Sequence, residues 1–180
     1  MEEMTIRVAT VADQAAICRI HLQAFEADER DQVASLAMRL LTRESQPRTL
    51  NLVADSAGEL WGHVAFSPVW STAVDQMVLG YILAPLAVSP AGQGKGLGSQ
   101  LVRAGLQQLT VQAIPSVLVY GDPRYYGRFG FAAQSAESFP PPFPLKFPEG
   151  WQALHLCPDS VDHSAQPFSC VDALNRPELW

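Results

Sequence analysis

The sequence predicts a single α/β domain built on a mixed, mostly antiparallel sheet. Three observations predict it. Segments with strand periodicity and segments with helical periodicity alternate along the chain. Two of the strands are joined by a link short enough for a hairpin. No linker-like stretch divides the 180 residues, and 48% hydrophobic content over that length suffices to bury one sizeable core.

Each element can be justified in turn. Thr5-Ile6-Arg7-Val8 alternates polar and apolar side chains, as a half-buried strand does. Thr10 and Asp13 then offer a capping box, and the helix they open carries Ile17, Ile20, His21 and Ala24 on one face. A second helix, from about Asp31 to Leu41, sets Val33, Leu36, Ala37 and Leu40 on a stripe and ends before Pro47. Leu50 to Asp55 and Leu60 to Ser67 read as antiparallel strands around Ser56-Ala57-Gly58-Glu59. The apolar stretch Met77 to Val88 is too long and too broken for one flat strand, because Pro85 lacks an N–H and asks for a bulge or an edge position. Leu97, Leu101, Val102, Leu106 and Leu109 give the next helix an apolar face to about Val111. Pro115 resets the chain before Val117-Leu118-Val119-Tyr120, a short central strand. Trp151 to Leu156 alternates as a final strand, and the tail to Trp180 carries no clear pattern.

Between the apolar stretch and the helix lies Ser89-Pro90-Ala91-Gly92-Gln93-Gly94-Lys95-Gly96-Leu97-Gly98-Ser99. Glycines at alternate positions allow positive φ and let successive N–H groups approach a ligand without Cβ interference. The helix that follows adds unpaired first-turn N–H groups and the positive end of its dipole, and Lys95 adds a charge. Phosphate is the natural guest; a glycine-rich turn with no ligand is the simpler alternative. Two familiar phosphate motifs fail on spacing. A P-loop needs a hydroxyl after Gly-Lys, where this chain has Gly96, and in the Rossmann fingerprint the third glycine falls one residue later than it does here.

A second dense segment is Gly121-Asp122-Pro123-Arg124-Tyr125-Tyr126-Gly127-Arg128-Phe129-Gly130-Phe131. Asp122 can cap N–H groups, Pro123 suits the first helical position, and Gly130 can take the left-handed conformation that closes a short helix. Tyr125 and Tyr126 leave such a helix about 100° apart, so one can enter the core while the other faces a cleft.

Gln93-Gly94-Lys95-Gly96-Leu97-Gly98, after the run Pro85-Leu86-Ala87-Val88-Ser89-Pro90, resembles the [QR]-x-x-G-x-[GA] signature of the GCN5-related N-acetyltransferases. Tyr125-Tyr126-Gly127-Arg128-Phe129-Gly130-Phe131 resembles the same family's [FY]-Y-x-[KR]-x-G-F signature. The likeness covers roughly Thr5 to Phe131, and its wording is similar to the YhbS-like branch of predicted bacterial acetyltransferases. It implies a three-layer fold, a bulge that splays the strand holding Pro85, and acetyl-CoA as co-substrate. By resemblance Leu86, Ala87 and Val88 pair with the pantetheine, and Gln93, Gly94, Lys95, Gly96, Leu97, Gly98 and Ser99 form the pyrophosphate loop. Tyr126 is then the general acid that protonates the leaving thiolate. An unperturbed phenol is protonated at neutral pH and can donate without a large shift. The implied reaction is direct transfer of acetyl to a primary amine, small-molecule or protein; an acyl-CoA-binding module without transfer activity is the alternative. A base for the amine is not identified. Glu26, Glu29, Glu59, His63 and Asp75 lie in or beside elements that can border the acceptor side, solvated charge is the simpler role for each, and a water relay would serve.

Composition excludes other classes. Net charge is −6 with no basic run, so a nucleic acid partner is not expected. Cys18, Cys157 and Cys170 make an odd count without C-x-x-C spacing and read as small buried apolar residues. His21, His63, His155 and His163 form no ligand pattern, so no metal is implied. No apolar run is long enough to span a membrane and the N-terminus Met1-Glu2-Glu3 is acidic, so a cytoplasmic protein is expected. Ser138 to Pro148 combines five prolines with three phenylalanines, too rigid and apolar for a solvated loop. It serves either as a wall of the acceptor pocket or as a segment packed on the core or on a second subunit in a homodimer.

Overall fold

In a computed structural model, residues 3–160, 162 and 164–180 are described. Met1 and Glu2 of the acidic N-terminus and His163 of the histidine set lie outside them. Seven strands and four helices alternate: β1 (Thr5–Val8), α1 (Gln14–Ala24), α2 (Arg30–Thr42), β2 (Leu50–Ser56), β3 (Glu59–Ser71), β4 (Val78–Val88), α3 (Leu97–Val111), β5 (Ser116–Tyr120), α4 (Pro123–Tyr126), β6 (Trp151–His155) and β7 (Phe168–Cys170). The strand order is β1-β2-β3-β4-β5-β6, with β7 on β3. Pairing is antiparallel in β1–β2, β2–β3, β3–β7 and β5–β6 and parallel in β4–β5, which makes the sheet mixed. The chain folds as two compact units, one running to Phe66 and resuming over Ala84–Gly105, the other comprising Ser67–Leu83 and Leu106–Trp180.

The first unit is set by its caps and its buried stripes. Thr10 and Asp13 form the predicted capping box, with the Thr10 N–H donating to Asp13 Oδ2 at 2.7 Å. The Arg7 guanidinium forks onto the Asp13 carboxylate at 2.8 and 2.9 Å and reaches Asp55 at 2.7 Å, tying β1, the start of α1 and β2 together. These bonds hold the Asp13 carboxyl down at about 2. Ile17 of α1 and Ala37 of α2 are fully buried against Val53 of β2. The β2–β3 hairpin turns through Ala57 and Gly58, both at positive φ (49° and 87°), the handedness a two-residue hairpin requires. Gly62 and Gly105 let α3 approach the sheet: a Cβ on Gly62 would meet Leu101 at 2.9 Å, and one on Gly105 would overlap the Phe66 ring.

In the second unit β5 lies between β4 and β6, with Tyr81, Ile82 and Leu83 paired to Val117, Leu118 and Val119. β4 is one continuous strand rather than the broken run expected, and Pro85 sits within it at a position that is an edge toward β5, one of the two placements its missing N–H asks for. Its pairing with β5 already ends at Leu83, so the missing Pro85 N–H costs that ladder nothing. β6 is not the final strand either, because Phe168–Cys170 pairs with the end of β3. The tail then folds back. Trp180 stacks on Tyr120, meets Trp151 edge-on at 5.7 Å, and donates its indole N–H to the Leu174 carbonyl. The proline–phenylalanine segment divides: Phe139 is buried and its carbonyl accepts the Trp151 indole N–H at 2.8 Å, Phe143 lies against Trp180, and Phe147 is exposed.

Candidate functional site

The loop after β4 is shaped by a few local bonds. Its start is anchored where the Ser89 N–H donates to the Trp61 carbonyl at 2.8 Å, and Gly92 N–H closes a turn onto the Ser89 carbonyl. Gly92 is buried, with Trp61, Leu97 and Ser89 all 3.2 Å from where a Cβ would stand. Gln93 is expended within the loop: its side-chain amide donates to the Val88 carbonyl at 3.1 Å and its N–H to the Ser89 carbonyl. It braces the turn while remaining exposed to solvent.

Gly94 and Gly96 follow, at φ of 74° and 78°, with open space where each Cβ would point. Gly96 accepts the first helical bond of α3, from Gln100 N–H, so the N–H groups of Leu97, Gly98 and Ser99 form the helix's unpaired first turn. Leu97 is buried and fixes that end, while Lys95 is exposed with its ammonium 5.3 Å from the centre of the Trp61 ring. Leu86 and Val88 are half-buried and Ala87 is buried, the alternation of a strand with one face more open than the other. The arrangement concentrates backbone donors, a helix N-terminus and one cation over six residues, chemistry suited to an anion of pyrophosphate size.

The second unit holds Tyr126. Asp122 accepts the Arg124 N–H at 2.9 Å, Pro123 opens α4, and Gly130 closes the following turn at φ 96°. Both tyrosines are half-buried, so neither enters the core as expected for one of them. Tyr125 is braced by the Arg128 guanidinium, 4.5 Å from its ring centre, and by Phe129. Tyr126 stands edge-on to Tyr125 and Phe131 and packs over Gly121. Burial, and then Tyr125, push the Tyr126 phenol well above its ordinary range. Among the described residues its hydroxyl has no hydrogen-bond partner.

The histidines resolve differently from the expectation. His63 is sealed: its Nδ1 lies 2.9 Å from His21 Nε2 and its Nε2 lies 3.1 Å from Asn51 Oδ1. Asn51 donates its amide to the Leu40 carbonyl, so its Oδ1 accepts, which places a proton on His63 Nε2 and leaves Nδ1 to accept from His21. That leaves His21 Nδ1 a bare, buried acceptor with no partner. Desolvation holds His21 at about 4 and His63 well below the ordinary range. His63 is therefore removed from the candidate bases, while Glu26, Glu29, Glu59 and Asp75 are exposed. The sequence signal that could have found this chain was His21 on an otherwise apolar helical face. The three cysteines are half-buried thiols, less enclosed than expected. Among the described residues no cluster of His, Cys, Asp or Glu is arranged to hold a metal, and no helix is long and apolar enough to cross a membrane.

Comparison with known proteins adds the following. A family model described as the acetyltransferase (GNAT) family matches residues 15–131. An uncharacterized N-acetyltransferase of Escherichia coli K12, YjhQ, is 33% identical over 147 residues, covering 81% of this chain and 79% of its own. Another from the same strain, YhbS, is 41% identical over 129 residues, covering 71% and 73%. The crystal structure of Escherichia coli YhbS in complex with CoA superposes with a TM-score of 0.80 at 30% identity over 98% of this chain and 94% of that one. A GNAT family acetyltransferase from Brucella melitensis in complex with acetyl-CoA gives 0.68 at 29% identity over 96% and 99%.

Proposed function

The chain belongs to the GNAT acetyltransferase family and is an acyltransferase by class, and from that premise we propose that it transfers acetyl from acetyl-CoA to a primary amine. The observation that carries the reading is the pair Gly94 and Gly96, both at positive φ with nothing where a side chain would be, ahead of the free N-terminus of α3. The two relatives solved with CoA and acetyl-CoA support the same ligand here.

In this reading the N–H groups from Gly94 to Ser99 hold the pyrophosphate, Lys95 adds charge, and Gln93 keeps the loop in shape. The open edge of Leu86, Ala87 and Val88 pairs with the pantetheine, and an N–H of that strand polarises the acetyl carbonyl. The thioester supplies the electrophilic carbon: the amine nitrogen bonds to it, the carbon–sulfur bond breaks, and the electron pair leaves on sulfur. Tyr126 donates to that sulfur, and the amine's extra proton leaves through water. A phenol above its ordinary range is a weaker acid than a thiol by more than about 1.5 pK units. Tyr126 therefore acts first as a hydrogen-bond donor to the developing thiolate, and the proton it passes to sulfur is replaced by the one the amine releases through water.

Isothermal titration of the purified protein with CoA tests the reading at its root. Saturable binding that weakens in Gly96→Val is expected, and absence of binding overturns the function.

A further inference from the structure

An open cleft of about 1020 Å³ lies within the first unit, walled by α1, the start of α2, the β2–β3 turn and Ser89–Ala91. Nothing in the reaction above uses it. Its apolar wall includes Phe25 and Trp61, and four charged side chains line it: Arg19, Arg30, Glu26 and Glu59. Although they share one cavity, these four form no ion pair with one another among the described residues. Arg30 has only a loose contact with Asp31, at 3.9 Å, and Arg19, Glu26 and Glu59 have no side-chain partner there. Charges of both signs, unneutralised by each other and gathered beside aromatic surface, are the composition of a binding site.

We propose that this cleft binds a zwitterionic amino compound with an apolar body, of which an aromatic amino acid is the simplest example. Two cations and two anions sum to zero, so a polyamine would meet as much repulsion as attraction, and so would a polyanion. A carboxylate and an ammonium on one ligand satisfy both pairs. The arginines present forked donors suited to a carboxylate, and the glutamates accept from an ammonium. Phe25 and Trp61 offer surface to the apolar part. The site does not depend on acetyl transfer.

The test is calorimetric titration of the whole protein, free of CoA, with L-phenylalanine, 2-phenylethylamine, 3-phenylpropionate and spermidine. L-phenylalanine is expected to bind about tenfold or more tightly than either compound lacking one charged group. Arg19→Ala and Arg30→Ala should erase the preference over 2-phenylethylamine, and Glu26→Gln with Glu59→Gln the preference over 3-phenylpropionate; all four side chains are exposed, so the variants fold. Spermidine or 2-phenylethylamine binding as tightly as L-phenylalanine overturns the proposal. So does the absence of L-phenylalanine binding at roughly 10 mM, or binding that ignores the arginine substitutions. Adding acetyl-CoA then separates two sources of the same chemistry: an acetylated product marks an acceptor, and unchanged L-phenylalanine marks a regulatory ligand. CoA binding, titrated separately, should be unaffected by the arginine variants.

Discussion

Acid should loosen the first unit through His21 and His63. Both are buried and neutral, and their tautomers are fixed by the chain of contacts ending at Asn51. In the unfolded chain an imidazole takes up a proton near 6.5, whereas folded His21 does so only near 4. Between those values the unfolded state binds more protons, so stability is intact above the higher value and falls as pH drops toward the lower one. Lowering pH from 7 to 5 should cost about 2 kcal/mol through His21 alone, with His63 adding in the same direction. Asp13, held near 2, loses its contribution only below the ordinary carboxylate range, outside this window. Urea unfolding at pH 7, 6 and 5 should show the midpoint falling by about 1 M. The double variant His21→Leu, His63→Leu should show a much flatter pH dependence whatever its absolute stability. A wild-type midpoint unchanged between pH 7 and 5, or an equal slope in the double variant, would refute the assignment of buried neutral imidazoles.

Other expectations follow from the two signature segments and the tail. Gly94→Ala and Gly96→Ala meet no clash but force alanine to positive φ, so each should cost about 1 to 2 kcal/mol of stability while weakening CoA binding at least tenfold by calorimetry. Tyr126→Phe should lower kcat roughly a hundredfold with CoA affinity unchanged; an unaltered kcat removes Tyr126 from the chemistry. Trp180→Ala, which empties a half-buried position against Tyr120 and Trp151, should lower stability by about 2 kcal/mol, seen as a Tm lower by roughly 6 °C.

Where local rules decide the outcome, the sequence was a good guide. The Thr10–Asp13 box, the Ala57-Gly58 hairpin, the start of α3 at Leu97 and the Asp122–Pro123 opening all rest on contacts within a few residues, and all are in place. Pro85 asked for a bulge or an edge position, and which of the two it takes could not be read locally because that depends on where the β4–β5 pairing stops. The tail was illegible because β7 is three residues long and exists only through its pairing with β3. His63 looked like a candidate base because its partners, His21 and Asn51, are 42 and 12 residues away in sequence. Of the site, the loop was legible from its glycines; the cleft, assembled from α1, α2 and two turns, had no linear signature.

The strap from the Gln93 side chain to the Val88 carbonyl closes a ring across the base of the loop. Its members are therefore confined before any ligand arrives, and the entropy of ordering them belongs to folding rather than to association. Gln93→Ala would transfer that ordering to the binding step: the same amides would remain, but the complex would form with a more unfavourable entropy and a slower approach to its final state. A residue that touches no ligand in this arrangement would thus govern how rigidly the ligand is received.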